Sequence, residues 1–176
     1  MGAVKGVVLS SIHELASRYE TSNTQVNQLW KNITWSSYGN FLSIPTDCPQ
    51  RNERLGWAGD ISVFSRTATY LADVPQFLRR YLRSMRDVQR TDGRFPDIAP
   101  LGGGFGGLLW GSAGITVPWE CYQQYGDTIL LSEHYDAMKR YIQYIIDNTI
   151  ETETNLIVQT RSWGDFCLLY TSDAAD

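Results

Sequence analysis

Histidine and cysteine are scarce in this 176-residue chain, which has two of the first and three of the second. Their placement removes several kinds of chemistry. Cys48, Cys121 and Cys167 make no CxxC pair and are odd in number, so neither a disulfide framework nor a thiolate metal site is expected. His13 and His134 stand alone at a strand end and a helix start, positions that suit structural roles better than a triad. Cys48 follows Asp47 but has no histidine near it in sequence, so it reads as a packed or ligand-adjacent thiol, not a nucleophile. No run of about 18 apolar residues occurs, and the apolar stretch of MGAVKGVVLSS is too short for a signal peptide. Neither export nor a membrane span is therefore expected from these residues, and localisation stays open. A net charge of -4 leaves no basic footprint for nucleic acid. The five glycines after Leu101 lack the lysine of a GxxxxGK(S/T) phosphate cradle and read as loop. No cofactor or metal is called for.

What is present is a helical pattern. With 43% hydrophobic residues the chain can bury a core. Residues 4–9 and 18–20 read as short extended segments, the end of a preceding β domain. Ser22 and Gln25 resemble a capping box for a helix over 23–38, in which Val26, Leu29, Trp30 and Ile33 recur at helical spacing. A second helix is expected over 54–71 with Val63, Thr67 and Tyr70 on one face. Asp73 is placed as the cap of a third, with Pro75 in its first turn and its arginines on a solvated face. Residues 91–109 read as loop, and two further helices are expected over 113–125 and 133–149, the last with Met138, Tyr141, Ile142 and Ile145 in line.

The densest chemistry lies in residues 45–60, PTDCPQRNERLGWAGD, where Asp47, Glu53 and Asp60 share sixteen positions with Arg51, Arg54 and Trp57. Pro45, Pro49, Gly56 and Gly59 break any long helix, so a loop feeding a helix is the expected carrier. Carboxylates this close repel unless a cation, hydrogen bonds or a polyhydroxylated ligand stabilises them, and Arg51 and Arg54 can supply the charge. Such a cluster serves sugar chemistry; the alternative is a salt-bridged helix start. Asp47 and Asp60 tighten the hold of Glu53 on its proton while the arginines loosen it, and sequence alone leaves the net sign open. Six tryptophans help bring aromatic content to 12%. Trp30, Trp35 and Trp119 read as core.

This run, with NFLSIPTD before it, ISVFSRTATYL after it, VPWECYQQYGD near Val117 and SWGDF near Ser162, resembles bacterial α-L-rhamnosidases of the six-hairpin type, glycoside hydrolase family 78. The resemblance covers nearly all of the chain up to Phe166. It implies an all-α, partial (α/α)6 toroid after a short β remnant: residues 1–20 as the end of a β domain or linker, and 21–166 as the first part of the catalytic domain. It implies Glu53 as general acid, with Asp47, Arg51, Asp60 and the tryptophans Trp57, Trp110 and Trp163 on a rhamnose-containing glycoside. Asn52 departs from the aspartate more common in the family. The general base would come from a later segment, and Glu120, inside a helix, is not assigned to it. The last ten residues, CLLYTSDAAD, match the translation of a widely used transposon-type sequencing adapter, so 167–176 read as a foreign tail on a truncated frame. Two other readings stand beside this one: a helical-hairpin protein that binds carbohydrate without cleaving it, and a six-hairpin glycosidase for a different sugar.

Overall fold

The computed structural model describes residues 3–104 and 107–157, and its framework is six helices with one two-residue hairpin. Helix α1, Thr24–Asn40, is capped by Asn23 and not by Ser22. The extended backbone of Asn23 brings its Oδ1 within 2.9 Å of the Gln25 N–H, while the Asn27 amide exchanges hydrogen bonds with the Thr21 backbone. The chain then turns through β1, Phe41–Leu42, and β2, Ile44–Pro45, with Ser43 in the left-handed region between them. Phe41 is buried there, stacked on Phe77 at 4.6 Å. The segments 4–9 and 18–20, read as extended, belong to no strand among the described residues. The leading segment is tied down instead by Ser11 N–H to Phe41 O, Ala16 N–H to Leu71 O and an isolated bridge between Leu15 and Ala72.

Helix α2, Ala58–Leu71, begins four residues later than its apolar pattern indicates, because residues 46–57 are held in a loop. Helix α3, Pro75–Asp87, follows after a short turn with no side-chain cap, so Asp73 does not play that part. Its buried face carries Phe77, Leu78, Tyr81, Leu82 and Met85. The stretch read as loop contains a short helix α4, Leu108–Gly111, which leads into α5, Ala113–Tyr125. Gly126 at φ 66° ends α5 in a left-handed cap, and α6, Thr128–Thr149, turns back along it, starting one turn earlier than expected.

Helices α2 and α5 lie side by side and parallel. Ser62 meets Thr116 at 2.8 Å, Arg66 faces Glu120, and the Tyr125 hydroxyl reaches Thr69 O, so contacts rise through both helices in the same order. Helices α3 and α6 pack behind α5. Two alignments at the back are polar. Arg79 makes a two-oxygen contact with Asp127, which also caps α6 through the Leu130 N–H, and Arg86 faces Glu133. Arg79 and Arg86 are therefore ion-paired, whereas Arg80 and Arg83 are exposed, as expected of a solvated face.

The outward faces differ from expectation most. Val63 and Tyr70 are exposed, and the buried side of α2 is Ile61, Ser65, Ala68 and Thr69. Trp35 and Trp119 are more than half exposed, and Trp30 is half-buried against Tyr19, so none of the three is a core residue. On α6 the buried line is Leu130, His134, Ala137 and Tyr141.

His134 has no access to solvent and stacks on Phe95 at 5.5 Å. Pro118 has no N–H, which leaves the Gly114 carbonyl to interact with the imidazole. Neither ring nitrogen makes a hydrogen bond of normal geometry. Burial, with Arg86 and Arg140 nearby, pushes the pKa from 6.5 down to about 4. Because the unfolded chain takes up this proton first, stability falls as pH drops from 6.5 towards 4, by on the order of 3 kcal/mol from this group. Chemical denaturation across that window should therefore show a shallower pH slope for His134→Gln than for the parent.

Candidate functional site

The loop over 46–57 is held at both ends. Asp47 N–H bonds to Leu55 O at 2.8 Å and closes its base, and Trp57 forms an isolated bridge with Ile98. Gly56 backs onto Ala99, where an added Cβ would lie 2.1 Å from the carbonyl oxygen, and Tyr81 donates from its buried hydroxyl to Gly56 O at 2.9 Å. Only glycine permits that approach. Cys48 and Arg54 both take positive φ, and the Arg54 guanidinium bonds back to Arg51 O at 2.8 Å. The first orphan N–H of α2, on Ala58, is taken by Asp97 O at 2.7 Å.

This frame puts Glu53 between two donors. Trp57 Nε1 donates to Oε1 at 2.7 Å, and Arg51 Nη2 donates to Oε2. The two donors are not equivalent: Trp57 sits at the N-cap of α2 and is half-buried, whereas the Arg51 side chain is 65% exposed. Desolvation is the largest single influence on Glu53 and raises its pKa, but the Arg51 and Trp57 hydrogen bonds and the Arg51 charge together outweigh it. The carboxyl is held below its ordinary value, which settles the sign that sequence left open. Asp60 goes the other way. It reaches the surface, yet enough protein surrounds it that desolvation, followed by repulsion from Asp47 and Glu53, raises its pKa. Cys48 donates to Asp47 Oδ1 at 3.4 Å, and desolvation with the neighbouring carboxylates pushes its thiol up, as suits a packed thiol and not a nucleophile. Asp47, Cys48 and Glu53 bring donor atoms within 4.8 Å of one another, but the Glu53 oxygens are already engaged.

A cavity of about 460 Å³ opens between α1 and α2, within the range usual for small-molecule sites. Ile33, Phe41 and Phe64 give it apolar walls, and Asp47, Trp57 and Asp60 reach it from the loop side. Glu53 and Arg51 do not line it. Trp110 is also apart: it is 3% exposed and packs flat over Gly59, where an added Cβ would lie 2.6 Å from the indole. Trp163 lies outside the described residues. Glu120 faces Arg66 across α2 and α5, not the loop. Sequence reasoning missed the α1 wall, to which Asn32, Ser36 and Asn40 contribute. Their spacing of four places a polar stripe on one helix face, a signal that was legible.

Comparison with known proteins places the arrangement in context. A profile for the bacterial alpha-L-rhamnosidase 6 hairpin glycosidase domain matches residues 14–176. An alpha-L-rhamnosidase of Streptomyces avermitilis is 44% identical over 145 residues, 81% of this chain but 14% of that protein. The crystal structure of the Streptomyces avermitilis alpha-L-rhamnosidase complexed with L-rhamnose superposes with a TM-score of 0.71 and 45% identity, covering 74% of this chain and 13% of the other. A Dictyoglumus thermophilum alpha-L-rhamnosidase structure also gives 0.71, at 38% identity, covering 79% of this chain and 16% of the other. The chain thus spans under a fifth of the length of each of these relatives.

The raised Asp60 carboxyl gives a stability test. Ionised Asp60 opposes folding once pH exceeds its unfolded pKa near 3.8, so Asp60→Asn should raise Tm at pH 7. That gain should vanish well below pH 3.8, where the acid is protonated in both states; a pH-independent difference would contradict the assignment.

Proposed function

Because this chain belongs to the bacterial α-L-rhamnosidase six-hairpin glycosidase family, we propose that it supplies the acid half of a glycosidase active site, in a protein that removes terminal α-L-rhamnose from glycosides or polysaccharides with inversion. The observation that carries this reading is the placement of Glu53, gripped at both oxygens beside Asp47 and Asp60 on a loop that borders a cavity of monosaccharide scale. Glu53 passes its proton to the glycosidic oxygen as the bond to the anomeric carbon breaks, and the leaving oxygen keeps the bonding pair. Water attacks the opposite face of the sugar, and its proton goes to a second carboxylate roughly 6.5–9.5 Å from the first. We place that base in a segment beyond this chain, which leaves the 176-residue fragment inactive by itself.

Asp47 and Asp60 accept from sugar hydroxyls, and Arg51 donates to them. Trp57 borders the cavity with its ring, where the 6-deoxy methyl of rhamnose is a fitting neighbour. Trp110 supports the site from below by seating Gly59, and Trp163 keeps the sugar-contact role that the resemblance gives it. The exposed Leu29, Trp35, Val63, Tyr70 and Trp119 belong to faces that the remaining hairpins cover, so the isolated chain should aggregate or bind a hydrophobic dye.

One observation favours a second reading. Glu53 is held ionised in this arrangement, as a residue that only binds sugar would be. Both readings meet one experiment, in which the frame is extended past Phe166 and the protein is assayed on p-nitrophenyl α-L-rhamnoside. Glu53→Gln should lower kcat at least ~10²-fold on methyl α-L-rhamnoside, whose leaving group needs the proton, and less on the nitrophenyl substrate. An extended protein that binds L-rhamnose without hydrolysing the substrate would make the binding-only reading correct.

A further inference from the structure

If Glu53 is the acid, its two oxygens cannot be equivalent. A protonated carboxyl places its hydrogen on one oxygen, and neither an indole N–H nor a guanidinium can accept it. Both donors favour the ionised form, and the one on the oxygen that takes the proton opposes protonation most, so the acid forms more readily once that donor withdraws. Trp57 is the fixed one: its backbone bridges Ile98, the next residue is tied to Asp97 O, and its ring is half-buried. Arg51 is the movable one, with most of its side chain in solvent on a turn held by Arg51 N–H to Cys48 O and Glu53 N–H to Arg51 O.

We propose that Glu53 delivers its proton from Oε2, with Trp57 as a positioning residue that holds Oε1 throughout and Arg51 as a partner that leaves when sugar hydroxyls compete for its guanidinium. This rests on the acid reading of Glu53 and adds an order of events to it. Free enzyme keeps Glu53 ionised and tethered. Arrival of the sugar draws Arg51 away, the carboxyl takes a proton from solvent on Oε2, and Trp57 keeps that oxygen aimed at the glycosidic bond. Trp57 thus acts through Glu53, in addition to any surface its ring offers the sugar.

The test uses the extended enzyme with methyl and p-nitrophenyl α-L-rhamnosides, whose leaving groups demand much and little acid assistance. Trp57→Phe keeps an aromatic ring and removes the N–H. It should move the alkaline limb of the kcat profile up by about one pH unit, because a donor to the ionised form is lost. It should also lower kcat on the methyl glycoside about tenfold, with a smaller loss on the nitrophenyl one and KM within about threefold. Incorporating 3-benzothienylalanine at position 57, which preserves indole shape without the N–H, should reproduce the limb shift and guards against misfolding of the phenylalanine variant. A rise in KM with an unmoved alkaline limb in both would overturn the proposal and leave Trp57 as a stacking surface. Glu53→Gln is the control: if it spares turnover of the methyl glycoside, the acid reading itself fails, whatever Trp57 does.

Discussion

Trp57 is where the loop, the helix and the acid meet, and the rest of the arrangement depends on its being fixed. Its backbone bridges Ile98 and its indole holds Glu53. The residue before it, Gly56, lies too close to Ala99 for any side chain and accepts from Tyr81 in the core. The residue after it opens α2 with its N–H on Asp97. Moving Trp57 would therefore move the first turn of α2, the Asp60 carboxyl in that turn and one wall of the cavity together. Precise placement of a reacting group needs this kind of support, since small displacements cost large factors in rate.

The loop and the first turn of α2 set two neighbouring carboxylates apart. Glu53 has two donors and is held ionised, whereas Asp60 is desolvated, repelled by its neighbours and holds its proton more tightly. Close acids with opposite shifts are an arrangement in which one group can bind while another exchanges a proton. The direction for Glu53 is unusual for the acid role proposed for it. It is consistent with a residue whose proton affinity rises only when Arg51 finds another partner.

Much of this was legible in the sequence because the loop concentrates its signals. Proline and glycine punctuation, three acids and two arginines within residues 45–60 marked the candidate site, and the motif runs carried the family. Helices α1 to α3, α5 and α6 were legible from periodicity, and so was the start of α5, but other starts were not: Asn23 outcompeted Ser22 as cap, and the bridge at Trp57 delayed α2 to Ala58. Periodicity also reports that a face is apolar without reporting what covers it. That is why Trp35 and Trp119 read as interior yet lie exposed in this chain, as do Val63 and Tyr70, which share a face of α2. Trp110, placed on the sugar by the resemblance of its segment, fills the space over Gly59 in this chain. Arg79 and Arg86 of α3 looked solvated because their partners, Asp127 and Glu133, arrive some fifty residues later.

The most direct measurement of the central claim is a carboxyl titration of Glu53 by NMR in the extended enzyme labelled with ¹³C-glutamate, in the absence and presence of L-rhamnose. The account predicts a pKa below that of ordinary glutamate in the free enzyme and a rise when sugar occupies the site, as Arg51 departs and Trp57 remains. An unshifted Glu53 in the free enzyme, or one that stays equally low with rhamnose bound, would contradict it.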